Sequence, residues 1–109
     1  MRNYLLLFLL LLPALAWALP DDATLSKMLI GTWDSSRHQY EYRRDGTWIT
    51  DPPDDGYNSR GKWRIENGKL ITTWRFQGES KDSSDAQTIV ELTKTTLKTD
   101  VGTMTRSQN

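Results

Sequence analysis

The hydrophobic positions of this chain follow three patterns in turn. Residues 5–12 are an unbroken run of Leu and Phe, whereas apolar side chains are sparse after residue 18. Between Asp22 and Ile30 they recur at spacings of three and four, as on a helix that buries one face. From Thr32 onward, short alternating segments are separated by turn residues about every ten positions, which is typical of an antiparallel sandwich or barrel. The pattern predicts one short helix followed by an all-β domain.

Eight strands are predicted after the helix. They cover approximately residues 32–37, 38–44, 47–51, 58–66, 69–76, 87–93, 96–101 and 103–107. The segment 51–56 contains Pro52 and Pro53, which cannot donate to a strand ladder, and it is expected to be a surface loop. The polar segment 77–85 is expected to be a second loop. A partly open barrel or sandwich of five or six strands is the main alternative.

The clearest turn is predicted at Asn67 and Gly68. These residues suit a two-residue type I′ hairpin, because both of its central positions need positive φ. Such a turn pairs Ile65 with Leu70 and gathers the apolar residues of both strands on one face, since side chains alternate along a strand.

Two registers compete at the turn formed by Asp45 and Gly46. A two-residue loop would place Trp48 opposite Arg43, on a half-charged face. A three-residue loop with a glycine bulge would instead pair Tyr42 with Trp48. The second register is favoured because it collects aromatic side chains on one face.

A third hairpin is predicted nearer the C-terminus. Leu92 and Leu97 are expected to pair across a turn at residues 94–95. In this register Val90 and Thr99 follow on the same, inward face. A last turn near Gly102 then leads into the terminal strand.

The first 18 residues have the features of a secretory signal peptide. Arg2 precedes the apolar run, and Ala16 and Ala18 supply the small residues that a cleavage site needs. Cleavage is expected after Ala18, which leaves residues 19–109 as one domain. An uncleaved membrane anchor is the alternative, although a spanning helix needs ~20 apolar residues. The chain has no cysteine, which excludes disulfides and suits a secreted or periplasmic location, the bacterial periplasm best.

Charge and motifs exclude several classes of function. The chain has 14 basic and 14 acidic residues, and this neutrality argues against binding nucleic acid or membrane surfaces. His38 is the only histidine and no nucleophile motif accompanies it, so no catalytic residue is predicted. Asp51, Asp54 and Asp55 lack the ordered spacing of calcium ligands, which favours a solvated loop over a metal site. No cofactor motif is present.

The unusual feature of the chain is a set of aromatic residues on the predicted inner faces of the strands. The set consists of Tyr40, Tyr42, Trp48, Trp63 and Trp74. One interpretation is the wall of a pocket for a small apolar or planar ligand. The other is core, because an eight-stranded barrel is just wide enough for its side chains to fill. The scarcity of aliphatic residues favours core.

Several short motifs occur in a fixed order between residues 28 and 107. The positions are Leu29, Gly31 and Trp33; Tyr40 and Tyr42; Asp45, Gly46 and Thr47; Trp63; Asn67 and Gly68; and Arg106. This order resembles that of small bacterial lipocalin-like domains, in the calycin group. The resemblance implies an antiparallel up-and-down β-barrel of about eight short strands, preceded by one short N-terminal helix. It also implies that Trp33 lies at the barrel base, with the Arg106 guanidinium over its ring, within ~6 Å.

These features predict an exported, non-enzymatic lipocalin-like domain that binds a small hydrophobic or planar ligand. The mature form is not expected to be embedded in a membrane. The alternative is a protein-binding envelope accessory or inhibitor module with a filled barrel interior, which uses its loops at 52–58 and 77–86. A contiguous cavity would favour the ligand, whereas a filled interior with an exposed apolar patch would favour a protein partner.

Overall fold

The computed structural model describes residues 19–51, 60–76 and 78–108, and in this part a short helix precedes eight antiparallel strands. Helix α1 spans Asp22–Leu29, and the strands are β1 Gly31–Asp34, β2 Gln39–Tyr42, β3 Thr47–Asp51, β4 Arg60–Glu66, β5 Lys69–Trp74, β6 Ser83–Leu92, β7 Thr96–Thr99 and β8 Gly102–Arg106. The strands pair in chain order, and β8 returns to pair with β1, which closes the barrel. The predicted fold is confirmed, and the alternative of a partly open sheet is wrong.

Two of the predicted hairpin registers are confirmed. Asn67 and Gly68 have φ values of 51° and 74°, and Ile65 lies opposite Leu70. At the other turn Tyr42 lies opposite Trp48, so the three-residue loop is the register that forms. The positive φ of Gly46 in this loop, 87°, is the conformation expected of a glycine bulge.

The third hairpin is only partly as predicted. Leu92 lies opposite Leu97, but the register shifts between Ile89 and Glu91, so that Ile89 and not Val90 lies opposite Thr99. A bulge adds one residue to one strand and therefore reverses which side chains point inward beyond it. The prediction that Val90 faces the core is wrong, and its side chain is 53% exposed.

The polar segment predicted to be a loop up to residue 85 is also corrected. Strand β6 begins at Ser83, and Asp85 lies opposite Thr72 in β5. The backbone ladder does not require apolar side chains, and here polar residues alternate between the barrel interior and solvent. The predicted loop at 52–58, the predicted beginning of a strand at 58–59, and the acidic residues Asp54 and Asp55 lie outside the described residues.

Helix α1 covers one end of the barrel. Its side chains Leu25 and Leu29 are fully buried, and the Asp21 carboxylate caps the helix by accepting from the backbone N–H of Thr24. Asp22 binds the barrel itself, accepting from the backbone N–H groups of residues 67 and 68 at 2.7 and 2.9 Å. We call this the closed end. The opposite end, where β1 connects to β2, β5 to β6 and β7 to β8, is the open end.

No helix within the described ranges is long and apolar enough to cross a membrane.

The type I′ turn generates a stability prediction. Substituting Gly68→Val should cost at least ~1–2 kcal/mol of unfolding free energy, because a β-branched residue is strained at a φ of 74°. Denaturant unfolding of the purified domain measures the loss. Gly102→Ala is the matched control, since its added Cβ would meet nothing within 4 Å and it should leave stability unchanged. Equal stability of the Gly68→Val variant and the parent would contradict the prediction.

Candidate functional site

The barrel interior contains a cavity of about 500 Å³ at the open end. Four aromatic residues line it: Tyr40, Tyr42, Trp48 and Trp74. Leu97 and Met104 add apolar surface, and Ser35 and Gly102 lie at the connections around the open end. The interior is thus divided, with aliphatic core toward the helix and aromatic side chains around the cavity.

The structure brings together four of the five aromatic residues singled out in the sequence. Trp63 does not line the cavity. Its ring packs edge-on against Tyr42, with 6.0 Å between centroids, and its indole N–H donates to the backbone carbonyl of Arg43 at 2.9 Å. Trp63 therefore contacts the turn at residues 43–46, which belongs to the closed end.

The aromatic wall is held by close contacts between its members. Tyr40 lies 6.4 Å from Tyr42 and 6.3 Å from Trp48, measured between ring centroids. The Trp48 indole N–H donates to the backbone carbonyl of Thr73 at 3.2 Å, across the position of Gly61. A Cβ at Gly61 would collide with that carbonyl and with the indole nitrogen. The glycine therefore provides the space in which the wall forms.

Tyr42 is the most deeply buried tyrosine of this wall, with a side chain 4% exposed. Burial raises the pKa of its phenol well above the usual range, with a smaller contribution from Tyr40. The hydroxyl therefore stays protonated at any physiological pH, and Tyr42 presents a neutral ring to the cavity.

A polar strip runs along the opposite wall. The Thr99 hydroxyl donates to Gln87 Oε1 at 2.9 Å, and Gln87 Nε2 donates to Asp85 Oδ2 at 3.2 Å. All three residues line the cavity. The sequence interpretation missed Asp85 because it began the strand at residue 87. It missed Gln87 because placing Val90 inward turns Gln87 toward solvent, whereas the register shift between Ile89 and Glu91 puts Gln87 inward. The signal that could have found them is the pairing of β6 with β5, which places Gln87 opposite Leu70 and, two residues further toward the open end, Asp85 opposite Thr72.

One donor in the cavity wall is unsatisfied. The indole nitrogen of Trp74 is buried and has no hydrogen-bond acceptor among the described residues. The ring itself is fixed by an edge-on contact with Phe76, with 6.3 Å between centroids. A buried donor without an acceptor costs ~1–3 kcal/mol, and this nitrogen is shielded from the cavity as well as from solvent.

At the closed end, Trp33 and Arg106 lie together. The guanidinium carbon is 4.3 Å from the ring centroid, inside the ~6 Å expected. The same guanidinium donates to the carbonyls of Met28 at 2.6 Å, Ile30 at 3.1 Å and Lys94 at 2.6 Å. Trp33 is fully buried, and its indole N–H donates to the carbonyl of Leu29 at 2.9 Å. These contacts join the helix to the first and last strands.

No described residues form a group of three or more potential metal ligands. His38, the only histidine, is half-buried in the connection after β1 and does not line the cavity. Its ring lies edge-on to Tyr40, with 6.3 Å between centroids.

Fold and cavity together define a small closed β-barrel of eight antiparallel strands, an architecture compatible with the calycin type. No family model, curated protein or solved structure matches the chain.

The guanidinium at the closed end generates a second prediction. Arg106→Lys keeps the charge but loses the planar stacking surface and the divergent donors, so it should lower the unfolding free energy by ~1–3 kcal/mol. Thermal or denaturant unfolding measures the loss. Arg64→Lys is the control, because Arg64 is exposed and the ion pair that it forms within the described residues is with the exposed Glu66. If both variants are as stable as the parent, Arg106 does not anchor the closed end.

Proposed function

We propose that this protein is an exported, lipocalin-like barrel that binds a small, largely planar molecule in the cavity at its open end, and that it is not an enzyme. The observation that carries the proposal is the cavity itself. Its volume of about 500 Å³ falls in the range of small-molecule sites, which combine aromatic walls with a few polar groups. Of the two interpretations of the aromatic set, the pocket then applies to the four residues that line the cavity, and the core applies to Trp63, which lies outside it.

The chemistry of the wall supports a ligand with an apolar planar body and a few polar atoms. Tyr40 and Tyr42 are nearly parallel, with 13° between their rings, and their side of the cavity offers aromatic faces against which a planar molecule can pack. The polar strip of Thr99, Gln87 and Asp85 offers hydrogen-bonding groups to the polar atoms of that molecule.

The alternative, a module that binds a protein partner through its loops, has less support. The large hydrophobic side chains exposed within the described ranges are Leu19 before α1, Val90 in β6 and Val101 between β7 and β8. Scattered exposed apolar residues are usual on protein surfaces and do not indicate an interface. The predicted loop at 52–58 lies outside the described residues.

Ligand binding is tested with N-phenylnaphthylamine, a neutral planar probe whose fluorescence rises in an apolar site. The wild-type domain should bind about one probe molecule. Trp74→Leu should weaken binding by about three- to tenfold, because it removes one aromatic face of the cavity. Trp63→Leu, which alters an aromatic residue outside the cavity, is the control and should keep the wild-type affinity. Failure of the wild type to bind, or an equal loss in both variants, would overturn the proposal.

Export is the other part of the proposal, and it rests on the leader sequence. The secreted form should begin at Leu19, because Ala16 and Ala18 provide the small residues that signal cleavage needs. N-terminal sequencing of the protein from the extracytoplasmic fraction tests this. Recovery there with Met1 intact would refute cleavage.

A further inference from the structure

Asp85 is an acidic residue in a cavity otherwise built from aromatic, aliphatic and neutral polar groups. Among the described residues that line the cavity there is no Lys, Arg or His, and Asp85 is the only Asp or Glu. It lies opposite Thr72 in the β5–β6 ladder, one step along the face from Trp74. Asp85 therefore lies next to Trp74 on the inner face of the barrel.

The hydrogen bonds of the polar strip all run toward this carboxylate. The backbone N–H of Val101 donates to the Thr99 hydroxyl at 3.3 Å, this hydroxyl donates to Gln87, and Gln87 donates to Asp85. Because the amide of Gln87 is oriented by Thr99, its NH₂ group faces Asp85. A carboxylate has about four lone-pair sites, so one bond leaves it able to accept more.

No cation of the protein neutralises Asp85 within the described ranges. The ion pairs found there join Arg43 to Glu41, Arg64 to Glu66 and Arg75 to Asp82. The last of these is at the open end, with 2.9 Å between Arg75 Nε and Asp82 Oδ1, and neither of its members lines the cavity. Arg75 of the adjoining connection is thus engaged outside the cavity, and Lys81, the other basic residue of that connection, does not line the cavity.

Aromatic faces and a carboxylate favour the same kind of ligand. The faces of Trp and Tyr carry partial negative charge and attract cations, and a carboxylate does so more strongly. An anionic ligand would be repelled by the aromatic faces and by the carboxylate. We propose that the ligand is an organic cation, a protonated or quaternary amine on a planar apolar body, with its charge beside Asp85 and its body against Tyr40 and Trp74. This inference rests on the proposed function and specifies the ligand class.

The test uses three probes that share one naphthalene body and differ in charge: naphthylethylamine, naphthylethanol and naphthylacetate. Isothermal titration calorimetry at neutral pH and low salt gives the three Kd values. The amine should bind at least about fivefold more tightly than the alcohol, and the acetate most weakly. Because Asp85 is exposed to solvent at the cavity mouth, added salt should reduce the advantage of the amine.

Two variants without a charge at position 85 test whether Asp85 causes the preference for the amine. Asp85→Asn and Asp85→Ser should both bring the affinities for amine and alcohol to within about twofold of each other, while the alcohol binds as it does to wild type. Asp82→Asn is the matched control, since it removes an acidic side chain at the same end but outside the cavity, and it should keep the preference. Circular dichroism of each variant checks that the barrel is intact.

The outcomes separate this inference from the proposed function. Equal binding of amine and alcohol by the wild type, or a preference that survives in both Asp85 variants, would overturn the inference while leaving a ligand-binding barrel. Tighter binding of the acetate would also overturn it. If none of the probes binds, and N-phenylnaphthylamine does not bind either, the proposed function fails as well.

Discussion

The structure depends on one side chain, Arg106, which connects the end of the chain to its beginning. Its guanidinium covers the indole of Trp33 and donates to the carbonyls of Met28, in the last turn of α1, and of Ile30, just after the helix; Trp33 donates to the carbonyl between them. The final carbonyls of a helix have no partners within the helix, and a cation is favourable beside them. A single planar group therefore caps the helix and seals one end of the barrel, next to the β1–β8 pairing that closes it. Gly31 makes this arrangement possible, because a Cβ there would collide with the guanidinium.

Sealing one end determines what the other end can do. The fully buried aliphatic side chains Leu25, Leu29 and Leu70 fill the interior near the helix, where the closed end excludes water. No comparable element covers the cavity among the described residues, and its wall is made of larger aromatic rings that hold one another at centroid distances above 6 Å. A small barrel with an unfilled cavity stays folded only if it buries enough apolar surface in the rest of its interior. The helix therefore stabilises the fold at a distance from the cavity, which leaves the open end free to vary in chemistry.

The sequence was most informative where structure depends on neighbouring residues. The turns at Asn67-Gly68 and at residues 44–46 were predicted with the correct register, because each turn geometry demands particular residues at particular positions. Val90 was assigned to the wrong face because a bulge is set by the partner strand and leaves no clear local signal. The alternation of side chains along a strand identifies which residues face inward, but not how far along the barrel axis each of them lies. For that reason it grouped Trp63 with four residues that line the cavity, although Trp63 belongs with the closed end.

Asp85 was hidden for a different physical reason. A Ser- and Asp-rich segment has the composition of a solvated loop, and composition cannot distinguish a loop from a strand whose inward side chains line a cavity. What identifies Asp85 and Gln87 as wall residues is their pairing with Thr72 and Leu70, which is a property of two strands together. The aromatic wall also depends on a missing side chain, since a Cβ at Gly61 would collide with the Thr73 carbonyl that accepts from the Trp48 indole, and with the indole nitrogen itself. A search for apolar positions finds neither polar side chains that point inward nor a glycine that makes room for its neighbours. In this barrel a search for core residues therefore finds the aromatic side chains of the cavity and overlooks its polar ones.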